Sequence, residues 1–81
     1  MTYSVKLFAA LKEKTGQDQW SYPSDPKLNG LELLQCFFDA YPEISGLSEV
    51  TRLAVNQAFC DTAVILEPSD EIALIPPVSG G

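Results

Sequence analysis

The chain has 81 residues, with eleven acidic against five basic side chains, no histidine and a net charge of −6. A hydrophobic fraction of 46% with 20% charged residues describes one small folded domain, not a disordered tail. Nucleic acid and anionic membrane surfaces are poor partners for such a chain, since both demand clustered Lys and Arg.

In chain order, Tyr3 to Ala9 alternates, with Tyr3, Val5 and Leu7 on one side and Ser4, Lys6 and Phe8 on the other. This predicts a strand with one buried face. Ala9 to Thr15 holds good helix formers with lysines in the last turn, and Gly16 is positioned to end that helix. Gln19 to Tyr22 is a short second strand after a turn at Gly16 and Asp18. Pro23 to Lys27 is a loop.

Asn29 then stands where an N-cap belongs, with Glu32 three residues on as in a capping box. Leu31, Leu33, Leu34, Phe37, Phe38 and Tyr41 form a broad apolar stripe, predicting a long helix packed on a sheet and stopped by Pro42. Ile44 to Ser48 reads as irregular. Thr51 to Val55 and Ala58 to Cys60 predict two strands around an Asn56-Gln57 hairpin turn. Thr62 to Leu66 is short and apolar, Glu67 to Asp70 is a turn, and Glu71 to Ile75 is the last strand. Pro76 cannot continue a ladder. One long helix between groups of strands predicts an α+β fold, a mixed sheet of four or five strands with a long helix and a short one.

The chemistry available to the side chains is thin. There is no Ser-His-Asp set, no phosphate loop and no HExxH. Cys36 and Cys60 form no CxxC or ligand cluster, so each reads as a small buried or half-buried apolar residue, and no zinc site is expected. Asp70 and Glu71 are adjacent, read as a solvated turn, and do not make an acid–base pair. No apolar run approaches a membrane span, and the start of the chain lacks a signal-peptide pattern, so a cytoplasmic location is expected. All five bases precede residue 53, and the last third carries only Asp61, Glu67, Asp70 and Glu71. An acidic end of this kind suits a partner with a basic cleft.

The chain finishes Ile75-Pro76-Pro77-Val78-Ser79-Gly80-Gly81. Two prolines hold the approach extended, and two glycines lack the Cβ atoms that would keep a partner's walls away. Pro76 to Gly81 would span roughly 20 Å at ~3.3 Å per residue. The division expected is a folded domain over 1–75 and an extended tail over 76–81. What such a tail can offer is the α-carboxylate of Gly81, ionised and a poor electrophile at neutral pH. Joined to AMP it gains a leaving group, and a sulfur nucleophile can then convert it to a thiocarboxylate able to deliver sulfur to an electrophilic carbon.

These pieces carry a resemblance. Leu7-Phe8-Ala9 with a short helix ending at Gly16, Leu53-Ala54-Val55-Asn56-Gln57, Asp70-Glu71-Ile72-Ala73 and the terminal Pro-Pro-Val-Ser-Gly-Gly resemble the small subunits of molybdopterin synthase, sulfur carriers with a ubiquitin-like β-grasp fold. Ser69 departs from the glycine usual in that family. The resemblance implies a cycle in molybdenum cofactor biosynthesis. An adenylating enzyme of the ubiquitin-activating type uses ATP on Gly81, a sulfur donor protein supplies the sulfur, and the thiocarboxylate enters the large subunit of the synthase to sulfurate a pterin precursor. No cofactor bound to the chain itself is implied. It further implies a heterotetramer around a dimer of large subunits. Gly81 would be the reactive residue, Gly80, Ser79, Val78, Pro77 and Pro76 would thread the partner's channel, and Ile75 would contact the partners. Carriage of sulfur for thiamine or another metabolite, conjugation to proteins as a ubiquitin-like modifier, and a purely non-covalent binding module are the alternatives.

Overall fold

In a computed structural model the described residues run from Met1 to Pro77. They form β1 (Thr2–Leu7), α1 (Ala9–Thr15), β2 (Gln19–Pro23), α2 (Gly30–Ala40), a 3₁₀ helix (Pro42–Leu47), β3 (Arg52–Val55), β4 (Ala58–Phe59) and β5 (Ile72–Ile75). The sheet has five strands in the order β2-β1-β5-β3-β4. β1 and β5 pair in parallel and every other pair is antiparallel. This is the mixed α+β β-grasp arrangement that the resemblance implied.

The alternation in β1 sorts its side chains as expected. Tyr3, Val5 and Leu7 are buried against the helix side, while Ser4 and Lys6 face out. Gly16 closes α1 in the left-handed conformation at φ 71°, its N–H donating to the Lys12 carbonyl at 2.9 Å. The capping box of α2 is complete. The Glu32 N–H donates to Asn29 Oδ1 at 2.8 Å, and the Asn29 N–H donates to Glu32 Oε1 at 2.9 Å. Leu33, Leu34, Phe37 and Phe38 then enter the core beside Trp20, whose ring lies edge-on to Phe37 at 5.2 Å.

Two expectations change. Leu31 is half exposed, because the first turn of α2 is pinned to the 60s loop by hydrogen bonds from Gly30 N–H to Val64 and from Leu31 N–H to Thr62. Its side chain therefore lines a shallow groove with Leu34 and Phe38 instead of the core. Pro42 to Leu47 holds two short 3₁₀ turns that meet at a kink at the buried Ile44, so the link is partly helical where an irregular one was expected. Pro42 suits its first turn, where no N–H is needed. Thr62 to Leu66, read as short and apolar, contributes an isolated bridge between Asn29 and Ile65. Ser69 sits in its turn without a positive φ, so serine is accommodated there.

One buried polar side chain joins these parts. The Tyr3 hydroxyl donates to the Leu66 carbonyl at 2.9 Å and accepts from the Leu28 N–H at 3.0 Å. Leu66 N–H returns a bond to the Leu28 carbonyl at 2.8 Å. The first strand thus holds both the run into α2 and the loop before β5. Replacing Tyr3 by Phe would orphan a buried donor, and denaturant unfolding should show a loss of about 1–3 kcal/mol. Gly30 is a second tight point, because a Cβ there would collide with Leu53 Cδ2 and lie 3.0 Å from the Thr62 carbonyl oxygen. Gly30→Ala should cost about 1–3 kcal/mol by overpacking, read as a lower unfolding midpoint at unchanged m-value.

Candidate functional site

β5 is the strand from which the tail leaves, and it occupies the middle of the sheet. Ile72 and Leu74 are fully buried toward α2, while Ala73 and Ile75 take the opposite, outer face at intermediate exposure. The start of β5 is fastened by an exchange of hydrogen bonds with the β3–β4 turn. Asn56 N–H donates to the Glu71 carbonyl at 2.7 Å, and Glu71 N–H donates to Asn56 Oδ1 at 3.0 Å. Asn56 Nδ2 also donates to Asp70 Oδ1 at 3.2 Å, and the other Asp70 oxygen accepts from the Glu67 N–H at 2.9 Å. Asp70 is therefore a structural acceptor at the turn and not merely solvated. Asn56 and Gln57 both have positive φ, 53° and 71°, as a tight hairpin of the primed type requires.

Cross-strand register lays out the outer face. Lys6 lies opposite Ala73, Ala73 opposite Ala54, and Ala54 opposite Phe59, in one row across four strands. Arg52 lies opposite Ile75 in the next row. The two alanines leave a groove of roughly 330 Å³ between larger neighbours, lined by Phe8, Phe59 and Ile75 with Lys6, Glu71 and Gln57 at its edges. Phe8 and Phe59 are 45% and 53% exposed, far more than a stable core would leave them. Lys6 and Glu71 form an ion pair at 3.3 Å, both about half exposed, of the kind that contributes ~0–1 kcal/mol.

Of the residues that sequence reasoning assigned, Ile75 ends β5 at the groove, Pro76 is buried and Pro77 is exposed. Val78, Ser79, Gly80 and Gly81 lie outside the described residues. What the sequence reading missed is the company Ile75 keeps: Phe8, Phe59 and Arg52. A signal existed for Phe8, which the alternation of β1 placed on the polar side. Phe59 sits on a two-residue strand too short to show a pattern.

The described residues offer little covalent chemistry. No three of His, Cys, Asp or Glu among them group as metal ligands. Burial, and then the Asp61 charge, push the Cys60 thiol above its ordinary pKa, so it stays protonated at neutral pH and is a weak nucleophile. Cys36 and Cys60 are both free and half-buried. No helix of the described residues is long and apolar enough to cross a membrane. What remains is an exposed apolar groove on the outer face at the end of β5.

Residues 5–81 match the ThiS family. A molybdopterin synthase sulfur carrier subunit from Dictyostelium discoideum is 40% identical, covering 98% of this chain and 95% of its own length. SAMP1 from Haloferax volcanii superposes at a TM-score of 0.81 with 26% identity, covering all of both chains. A chain from a protein–protein complex of subunits 1 and 2 of molybdopterin-converting factor from Helicobacter pylori matches at a TM-score of 0.68 and 24% identity, again covering both in full. With that family match spanning nearly its whole length, and with the β-grasp sheet that it shares with these structures, the chain belongs to the ThiS family of small sulfur-carrier-like proteins.

Proposed function

We propose that this chain is the sulfur carrier of molybdopterin synthesis, working through the carboxylate of Gly81. The observation that carries the reading is the central strand β5, which runs out through Pro76 and Pro77 beside an exposed apolar groove. It is supported by the relatives that bear the name of molybdopterin synthase sulfur carrier subunit.

In the proposed cycle a Gly81 carboxylate oxygen attacks the α-phosphorus of ATP on an adenylating partner, and pyrophosphate leaves. The terminal sulfur of a donor-protein persulfide then attacks the acyl carbon and displaces AMP, and a thiol cleaves the resulting acyl disulfide, leaving the Gly81 thiocarboxylate and a disulfide. Its sulfur bonds to an electrophilic carbon of the pterin precursor within the large subunit, joining the two as a thioester; water then cleaves the acyl carbon–sulfur bond, leaving the sulfur on the precursor as a thiol and returning Gly81 to the carboxylate. The fold's part is positional. It holds the root of the tail on a rigid strand, and the groove docks first one partner and then the other. The Helicobacter pylori complex of subunits 1 and 2 supports the large subunit as one of those partners. The chemistry of the carboxylate calls for activation before sulfur can be added, and ATP, the activating enzyme and the sulfur donor enter this proposal from the family resemblance. A reducing cytoplasm fits the pair of free cysteines.

A second reading has its own support. The match to SAMP1, a small archaeal modifier protein, favours conjugation of Gly81 to lysines. The two readings share activation and differ in the acceptor.

Incubation with ATP, the activating enzyme and a sulfur source should raise the intact mass by one oxygen-to-sulfur exchange, located at Gly81 by fragmentation. An unchanged mass would reject the carrier reading, and ladders of conjugates on denaturing gels would select the modifier. Deleting Gly81, or adding one residue after it, should abolish dithiolene formation while leaving the unfolding midpoint within ~0.5 kcal/mol of wild type. Retained activity in the extended protein would show that sulfur travels by another route.

A further inference from the structure

Arg52 opens β3 opposite Ile75, so its side chain rises on the outer face at the root of the tail. Its guanidinium carbon lies 3.8 Å from the centroid of the Phe59 ring. The ring face stabilises the cation but gives its N–H donors no acceptor. Among the described residues the ion pairs are Lys6–Glu71 and Lys27–Glu67, and none involves Arg52. Among the described residues Lys12 and Lys14 also stand outside these pairs, but both lie on α1, whereas Arg52 stands beside the groove-lining Phe59 and Ile75.

The position makes the missing partner consequential. Phe59, on which Arg52 rests, is a wall of the apolar groove, and Ile75 opposite it is another. A protein that closes over that groove takes water away from the guanidinium. A desolvated cation with no anion is strongly unfavourable, whereas one that meets a carboxylate gains two parallel charge-assisted bonds. Arg is better suited to this than Lys, since its planar fork keeps the stacking contact while its edge binds the anion.

We propose that Arg52, braced on Phe59, is the specificity-determining cation of the docking face, and that it receives an Asp or Glu carboxylate from the large-subunit partner beside the mouth of the channel that takes the tail. The inference rests on the large-subunit reading above and adds to it the chemistry that the partner must present. It also divides the electrostatics of docking in two. The tail carries an anion toward a basic pocket, and the face that follows it carries a cation toward an acidic rim.

Titration calorimetry of the full chain against the cognate large subunit, at several salt concentrations, tests this. Arg52→Gln should weaken binding about thirtyfold or more and flatten the salt dependence, and Arg52→Glu should weaken it further. Arg52→Lys should lose less affinity and keep the salt slope, and Phe59→Leu should behave similarly because it removes the brace but not the charge. Arg52 is exposed, and unfolding midpoints of all four variants check that the fold is intact. Lysine at the contacted acidic residue of the partner should rescue Arg52→Glu, which a merely structural role would not allow. Affinities of Arg52→Gln and Arg52→Glu within twofold of wild type, at an unchanged salt slope, would overturn the inference and leave the carrier reading standing. Failure of the wild-type chain to bind the large subunit would overturn both.

Discussion

The parallel pairing of β1 with β5 is the constraint on which the rest of this molecule depends. Parallel neighbours cannot be joined by a tight turn, so the chain must leave the sheet and return from the same end. The long connection supplies α2, which covers one face, and the β3–β4 hairpin, which extends the far side of the sheet. The first and last strands thus become the middle of the sheet, with Val5, Leu7, Ile72 and Leu74 at its driest point. Tyr3 completes the arrangement from beneath, spending its one hydroxyl on the two loops that the crossover leaves near each other.

The two faces of the sheet have been given opposite tasks. The inner face is filled by leucines and aromatic rings whose polar neighbours are all satisfied; among the described residues no buried side-chain polar atom lacks a partner. The outer face carries small residues at its centre and exposed aromatics at its margin, an arrangement that wastes apolar area unless another protein covers it. Stability is thus concentrated on one side, and the surface left for a partner lies on the other. Because alternate residues of β5 serve both, the strand cannot slip by one position without exchanging Ile72 and Leu74 for Ala73 and Ile75.

Local signals were easy to read in the sequence, because their causes are local. Gly16, the Asn29–Glu32 box and the alternation of β1 each depend on residues within one turn or one pleat. The Pro42 stop was read correctly, but the 3₁₀ turn after it was not, since Pro42 to Leu47 has no periodicity of its own and is held by burying Ile44. Leu31 was misplaced for a similar reason: the stripe was right, but the tilt of the first helical turn is decided by Thr62 and Val64, more than thirty positions away. The Asn56–Asp70–Glu71 exchange and the Arg52–Phe59 stack were invisible, because both join strands whose pairing no local pattern specifies. The reading of the tail rests on backbone and terminal chemistry alone, and Val78 to Gly81 lie outside the described residues.

The central position of β5 has a consequence for truncation. Without Ile72 to Ile75, β1 and β3 lose the neighbour they share, and each is left with an unpaired edge. The sheet then divides into the β1–β2 and β3–β4 pairs, and two strands alone are marginal in water. The strand that leads into Pro76 and Pro77 is thus the same strand that makes the two halves of the sheet one cooperative unit.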